Sequence, residues 1–405
     1  MENIKINLNL DKVYQYLLIA LAFIFPLTVA GGNLIIGIIV LTWLLSGNYK
    51  TKFNQIISNK LAVLSILFFS LHVLGLLWTD DLKWGLTIVK KMSDFLFLLP
   101  ILLTITKKEY IKYYISAFIL AMTLTEILSY LVWFEVIDPL HKATVGNPTP
   151  TMSHISYNPF LTFGIFLIAH EILFNKHLSK LYKYVYVFFM VTMSINMFIT
   201  GGRAGQVMYF VMLGILIFQY YGRGRKVRAT IISLIIISSI FLGAYNSSSI
   251  FQHRMNEAVK NISIYNTDRN KNTSVGQRIT YTINSLEIIK NNLFFGVGTG
   301  DFPSEYNKIH AKNTPEVNTT VNPHNMYILV AVQLGLFGLL GMLLIFYQQI
   351  KFSLSAKIKI NRDLGFVLPL LFLVIMFSDS YLLGHYTTIL FVFFSSFLYK
   401  DFEKN

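Results

Sequence analysis

Arg203 follows Thr200-Gly201-Gly202 and opens an apolar run. Its guanidinium therefore sits at a helix N-terminus, where the helix dipole opposes a cation by a few tenths of a kcal/mol or more. An anionic ligand resolves that conflict, because helix N-termini and arginine both suit phosphate. The plainer alternative is an arginine snorkelling to lipid headgroups. His324 lies in Asn322-Pro323-His324-Asn325-Met326-Tyr327. That order reads as a helix start, with Asn322 as N-cap and Pro323 at the first helical position. His324 would then occupy the first turn, where the positive dipole end favours a neutral ring. A neutral imidazole accepts a proton, as a general base must; the same residue also reads as a capping histidine. Arg278 opens an amphipathic run to Lys290, and Arg254 lies upstream of it; arginines in such loops are commonly solvated. Lys90 and Lys91 fall about two turns inside an apolar run, a costly place for charge unless it is functional or snorkels outward. Asp94 shares a helical face with Lys90 and could pair with it. Glu126 lies deep in a further run, and spacing names no partner for it. His154, Asp379 and His385 carry little specific signal.

The elements that must position these residues follow from composition. The 405 residues are 54% hydrophobic and only 13% charged, against about 45–50% and about 25% in soluble domains. So little charge cannot cover a globular surface, which excludes a soluble enzyme and a disordered chain. With no cysteine, disulfides, thiol catalysis and Cys-based metal sites are excluded. A membrane-spanning helix needs about 20 apolar residues. Twelve runs qualify, at 13–30, 32–46, 61–78, 84–105, 111–134, 157–174, 182–200, 203–221, 228–245, 325–350, 364–379 and 381–398. The first is followed at once by the second and reads as a retained signal anchor. The chain is thus predicted to be an all-α polytopic membrane protein. Its expected parts are helices 1–9 over residues 1–245, a polar cap over 246–323, and helices 10–12 with a tail over 324–405.

Lysine and arginine in short loops set the orientation. With the N-terminus inside, the short outer loops hold only Lys83, Lys142 and Arg203, and both termini are cytoplasmic. The formal charge of +14 then falls on the inner rim. It faces anionic lipid and is a topology signal, not a nucleic-acid patch. The cap contains an Asn-rich turn from Asn266 to Asn272 and the run Gly296-Val297-Gly298-Thr299-Gly300. That glycine spacing, without a β-α-β context, is no dinucleotide fingerprint. It reads as a tight turn that lets backbone approach a neighbouring element or a substrate. A neutral histidine, arginines and a polar cap thus meet at the outer water–lipid boundary, which suits a reaction on a lipid-linked diphosphate. No carboxylate pair, metal-ligand cluster, Walker loop or Ser-His-Asp set competes. A transporter would place its charges at the midplane between repeats, and no repeat stands out.

At this point the motifs resemble those of the bacterial O-antigen ligase family. His324-Asn325, then nine residues, then Gly335-Leu336-Phe337-Gly338 is similar to its C-terminal signature of a His and a small polar residue before spaced glycines. Thr200-Gly201-Gly202-Arg203 resembles its upstream arginine motif, with Val207 where the family has Leu. Gln277-Arg278 and Phe295 to Phe302 look like its second arginine and glycine turn. The resemblance covers 200–340 and extends to O-antigen polymerases and protein O-oligosaccharyltransferases. The latter usually carry further C-terminal sequence, and polymerases often have two sizeable outer loops, so ligase is favoured. The resemblance implies a GT-C-like glycosyltransferase in the inner membrane of a Gram-negative bacterium. Such an enzyme moves a polysaccharide from undecaprenyl diphosphate to a hydroxyl of the lipid A–core oligosaccharide at the periplasmic face. The anomeric carbon inverts, and no nucleotide, metal or other cofactor is required. Arg203 and Arg278 would bind the diphosphate, His324 would take the acceptor proton, and Asn325 would orient the site. To these the residue reading adds Arg254 as a further substrate contact and Lys90 or Lys91 as positive potential near the leaving group. An O-antigen polymerase and a transporter or flippase of lipid-linked sugar are the alternatives.

Overall fold

The structure, a computed structural model, describes residues 9–140, 143–267 and 271–402. Lys142 and the centre of the Asn266–Asn272 turn lie outside these residues. The helices are α1 (Leu10–Ile24), α2 (Val29–Leu45), α3 (Tyr49–Ser58), α4 (Lys60–Leu74), α5 (Leu82–Leu96), α6 (Leu98–Ile105), α7 (Ile111–Trp133), α8 (His154–Phe174), α9 (Lys180–Ile199), α10 (Arg203–Tyr221), α11 (Lys226–Ser247), α12 (Ser249–Thr267), α13 (Ser274–Asn291), α14 (Phe302–Asn313), α15 (Met326–Ser355), α16 (Lys359–Ile375) and α17 (His385–Leu398). Among the described residues there is no strand beyond one isolated bridge between Thr144 and Asn147. The chain is an all-α polytopic membrane protein.

Among the described residues, seven helices are long and apolar enough to cross a membrane, or eight if α2 and α3, bent by 117°, form one span. The other expected spans are occupied by the shorter α1, α5 with α6, α16 and α17. Prolines account for two of these differences. The expected 13–30 stops at Ile24 because Pro26 cannot continue a helix. The expected 84–105 breaks at Phe97, because Pro100 lacks an N–H and its ring crowds the Leu96 carbonyl. The expected 364–379 ends at Ile375, which leaves Asp379 in a loop.

The core is built around α17, which is buried from Thr387 to Leu398. A helix apolar on every side belongs in the interior. Phe394 packs edge-on against Phe118 and Phe163, with ring centroids 5.2 and 4.8 Å apart. Deep in α7, Glu126 is buried, and neither carboxyl oxygen has a hydrogen-bond partner.

The polar stretch between α11 and α15 carries α12, α13 and α14, and its glycine turn has a structural task. Helix α15 is broken at Gly335, where φ is 60° and ψ is −154°. Backbone groups freed inside a membrane helix must find partners nearby. Residues 293–300 thread into the break and supply them. The Leu336 N–H donates to the Leu293 carbonyl at 2.8 Å, and the Phe337 N–H to the Phe294 carbonyl at 3.3 Å. In return, the Val297 and Gly298 N–H groups donate to the Val332 and Gln333 carbonyls at 2.9 and 3.0 Å. The Gln333 side chain accepts the Gly300 N–H at 2.7 Å. A Cβ on Gly296 would lie 2.4 Å from the Gln333 carbonyl carbon, and one on Gly335 would lie 2.4 Å from that of Phe294. Both glycines are thus required by the close approach. The turn is also tied to the α4–α5 connection. Asp301 is buried and accepts hydrogen bonds from the Thr79 hydroxyl and from the backbone N–H groups of Asp80 and Asp81, at 2.7–2.8 Å.

Gly335→Ala should therefore destabilise the protein by about 1–3 kcal/mol or more, through its positive φ and the clash. Gly37→Ala, where an added Cβ meets nothing within 4 Å, should not. Thermal melts of the detergent-solubilised variants test this; equal melting temperatures would contradict the account of the break.

Candidate functional site

The Thr200-Gly201-Gly202 turn is held by neighbouring asparagines. The Thr200 hydroxyl donates to Asn158 Oδ1 at 2.8 Å, and Asn158 Nδ2 donates to the Gly202 carbonyl at 3.1 Å. The Gly201 N–H donates to Asn147 Oδ1 at 3.0 Å. The turn thereby fixes Arg203 as the first residue of α10, with Gly202 as a cap that offers no side-chain acceptor. Arg254 comes from α12 and Arg278 from the first turn and a half of α13. All three arginines, with His154, Asp379 and Tyr381, line one cavity of about 130 Å³.

Sequence reasoning missed the anion that already occupies two of these guanidiniums. Glu257 Oε2 lies 3.4 Å from Arg203 Nη2 and 3.5 Å from Arg254 Nη1. Its other oxygen lies 3.2 Å from His253 Nε2. One carboxylate oxygen bridging two guanidiniums is the contact that a phosphate oxygen would make. The i,i+3 spacing of Arg254 and Glu257 was visible in the sequence; the reach to Arg203 was not.

The predicted cap at His324 is corrected. Asn325, not Asn322, caps α15, and its Oδ1 accepts the Ile328 N–H at 3.2 Å. Asn322 instead accepts the His324 N–H at 3.0 Å, and His324 has a φ of 52°. Both asparagines can cap. The one adjacent to Met326 prevails because the chain reverses at His324, in a left-handed conformation that histidine visits more readily than most residues. His324 thus lies outside the helix, and the dipole argument for a neutral ring does not apply to it. Asn325 is committed to capping and to a 3.4 Å hydrogen bond from Nδ2 to the Phe377 carbonyl.

What faces His324 is Asp379. Nδ1 of His324 lies 3.4 Å from Oδ2 of Asp379, an ion-pair contact without the alignment of a hydrogen bond. Asp379 is further held by the Ser380 N–H at 2.7 Å and Asn322 Nδ2 at 3.2 Å. Burial alone would raise its carboxyl pKa. His324, the Ser380 N–H and the positive charge of Arg278 outweigh that and hold it below the usual carboxylate range. On the other side, the ring of Tyr281 stacks on His324 with centroids 6.4 Å apart. Tyr281 lies three residues after Arg278 on α13, so one helix positions both the arginine and the histidine.

The lysines lie elsewhere. Lys91 lines a second cavity of about 290 Å³, while Lys90 lines neither. Both side chains are exposed. Among the described residues, the Lys90–Asp94 pair that spacing allows does not form. His385 opens α17 and lines neither cavity.

Residues 188–343 match the family model described as O-antigen ligase. That is the family that the motifs between 200 and 340 resemble, on the same stretch of chain. An uncharacterized protein of Haemophilus influenzae is 30% identical over 207 residues, which cover 49% of this chain and 50% of the relative. The chain thus spans about half the length of the curated relative it matches.

Three arginines around one cavity suit a multiply charged anion, which would have to displace Glu257. Glu257→Gln should therefore tighten binding of inorganic pyrophosphate about two- to fivefold, the range expected for a partly exposed ion pair. Calorimetry on the detergent-solubilised protein measures this. Weaker binding by the variant would mean that Glu257 positions the arginines rather than competes for them.

Proposed function

We propose that this protein is an O-antigen ligase, which transfers a polysaccharide from undecaprenyl diphosphate to a hydroxyl of the lipid A–core oligosaccharide. The observation that carries this reading is the meeting of Arg203, Arg254 and Arg278 with Asp379 around one cavity, with His324 behind Asp379 at 3.4 Å. The family match over 188–343 supports it. In this reading the chain has twelve spans in a Gram-negative inner membrane, both termini in the cytoplasm, and residues 246–323 as a periplasmic cap between helices 1–9 and 10–12.

Each group then has a role. Arg203 and Arg278, with Arg254 beside them, hold the diphosphate and stabilise the charge that grows on it as the bond to the sugar breaks. His324 accepts the proton of the acceptor hydroxyl through Nε2, since Nδ1 faces Asp379. Asp379 orients the ring and stabilises the imidazolium that forms. The acceptor oxygen bonds to the anomeric carbon from the side opposite the departing phosphate. The carbon inverts, and undecaprenyl diphosphate leaves with the electron pair. Asn325 contributes by fixing the start of α15, not by touching substrate. Lys91 acts away from the leaving group.

Arg203→Ala, Arg278→Ala and His324→Ala should each lower transfer by about 10²–10³-fold at near-normal protein levels. Arg203→Lys should remain impaired, since an ammonium cannot make a bidentate contact. Transfer from undecaprenyl-diphosphate-linked glycan to purified lipid A–core measures this, and wild-type rates would remove the residue from the mechanism. Asp379→Asn should cost about 10²-fold in turnover while leaving donor affinity unchanged; a loss confined to donor affinity would assign Asp379 to binding instead. Lipopolysaccharide from cells lacking the protein separates the readings. Bare core with polymer left on the lipid carrier marks a ligase, core with a single repeat a polymerase, and substrate trapped on the cytoplasmic side a flippase.

A further inference from the structure

The cavity that Lys91 lines shares Ile155, Asp379 and Tyr381 with the arginine cavity. The two spaces therefore meet at the carboxylate that faces His324. Their linings differ in kind. The first gathers three guanidiniums. The second has no arginine: Trp84, Phe302 and Tyr381 supply aromatic faces, Ser156, Asn322 and Thr387 supply hydroxyl and amide groups, and Lys91 is its one cation. Aromatic faces beside a few hydrogen-bonding groups suit a saccharide ring, whose C–H face is apolar and whose edge is polar. A volume of about 290 Å³ is near the lower end for ligand sites. It fits the accepting end of an oligosaccharide rather than the whole. Lys91 has no carboxylate at ion-pair distance among the described residues, so its charge is available to a ligand.

We propose that this second cavity is the acceptor subsite, in which Trp84 stacks on the accepting sugar and Lys91 binds an anionic substituent of it, a phosphate or a carboxylate. This rests on the ligase reading above. It follows from the position of the base: a nucleophilic hydroxyl must lie within reach of His324 and opposite the diphosphate. The second cavity adjoins the arginine cavity at Asp379, the residue that faces His324, and so is the neighbouring space from which a hydroxyl would approach. Specificity for the acceptor is then set by α5 and the loop after α16, and specificity for the donor by α10, α12 and α13.

The test measures donor and acceptor separately. Lys91→Gln and Trp84→Ala should each raise the acceptor KM about tenfold, with affinity for undecaprenyl diphosphate unchanged; that affinity also reports correct folding. Lys83→Gln, on the same helix, should behave as wild type. With an acceptor stripped of its anionic groups, wild type and Lys91→Gln should become equal. An unchanged acceptor KM in both variants, with donor affinity retained, would overturn the proposal and leave the ligase reading intact. If the wild-type protein binds no lipid-linked diphosphate, the ligase reading falls, and the subsite with it.

Discussion

The break in α15 at Gly335 is the constraint on which the site depends. A helix interrupted within the apolar layer exposes carbonyl and amide groups that cost several kcal/mol each if left alone. Residues 293–300 satisfy them by lying in the gap. That repair pins the C-terminal end of α13 to the middle of α15. From this shared anchor α13 runs back about 20 Å to Arg278, and the first part of α15 runs back about 14 Å to Met326, at 1.5 Å per residue. The two helices thereby run alongside each other from that anchor, and Tyr281, one turn along α13 from Arg278, stacks on His324. Asp301 secures the same turn to the start of α5. The glycines and the histidine of the C-terminal motif are thus parts of one device, although they touch different things.

The site concentrates positive charge around one cavity. Arg203, Arg254 and Arg278 repel one another across a small cavity, and Glu257 supplies one negative charge at distances too long for tight pairing. Arginine is suited to this setting because it stays charged when partly desolvated and offers donors in a planar fork. A diphosphate carries more charge than one carboxylate and can engage all three guanidiniums. In the proposed reaction, such a site would hold its leaving group more firmly as negative charge accumulates on it, the differential binding that lowers a barrier.

Much of this was legible in the sequence, and what was not has physical causes. The all-helical membrane class follows from apolar content and run length. The neighbourhood of Arg203, Arg278 and His324 was anticipated because Arg203 and His324 lie at the outer ends of apolar runs and Arg278 in the polar cap on the same expected side. Pro26 and Pro100 mark breaks that a hydropathy window smooths over. Glu257 and Asp379 were passed over because their significance lies in contacts across 54 and 55 positions of chain, which spacing cannot reveal. The cap at α15 was misassigned because two asparagines bracket Pro323-His324, and either could serve. Only the left-handed turn at His324 decides between them.

Asp379 is the residue at which these lines meet. A half-buried carboxylate is costly unless other groups share its charge, and here the Ser380 N–H, Asn322 and Arg278 do so. Because Arg278 also lines the arginine cavity, the charge proposed to bind the diphosphate also helps hold Asp379 below the usual carboxylate range. An ionised Asp379 in turn keeps His324 oriented. The wall between the two cavities is therefore more than a partition: Ile155, Asp379 and Tyr381 belong to both, so a change at Asp379 reaches the arginine side and the Lys91 side together.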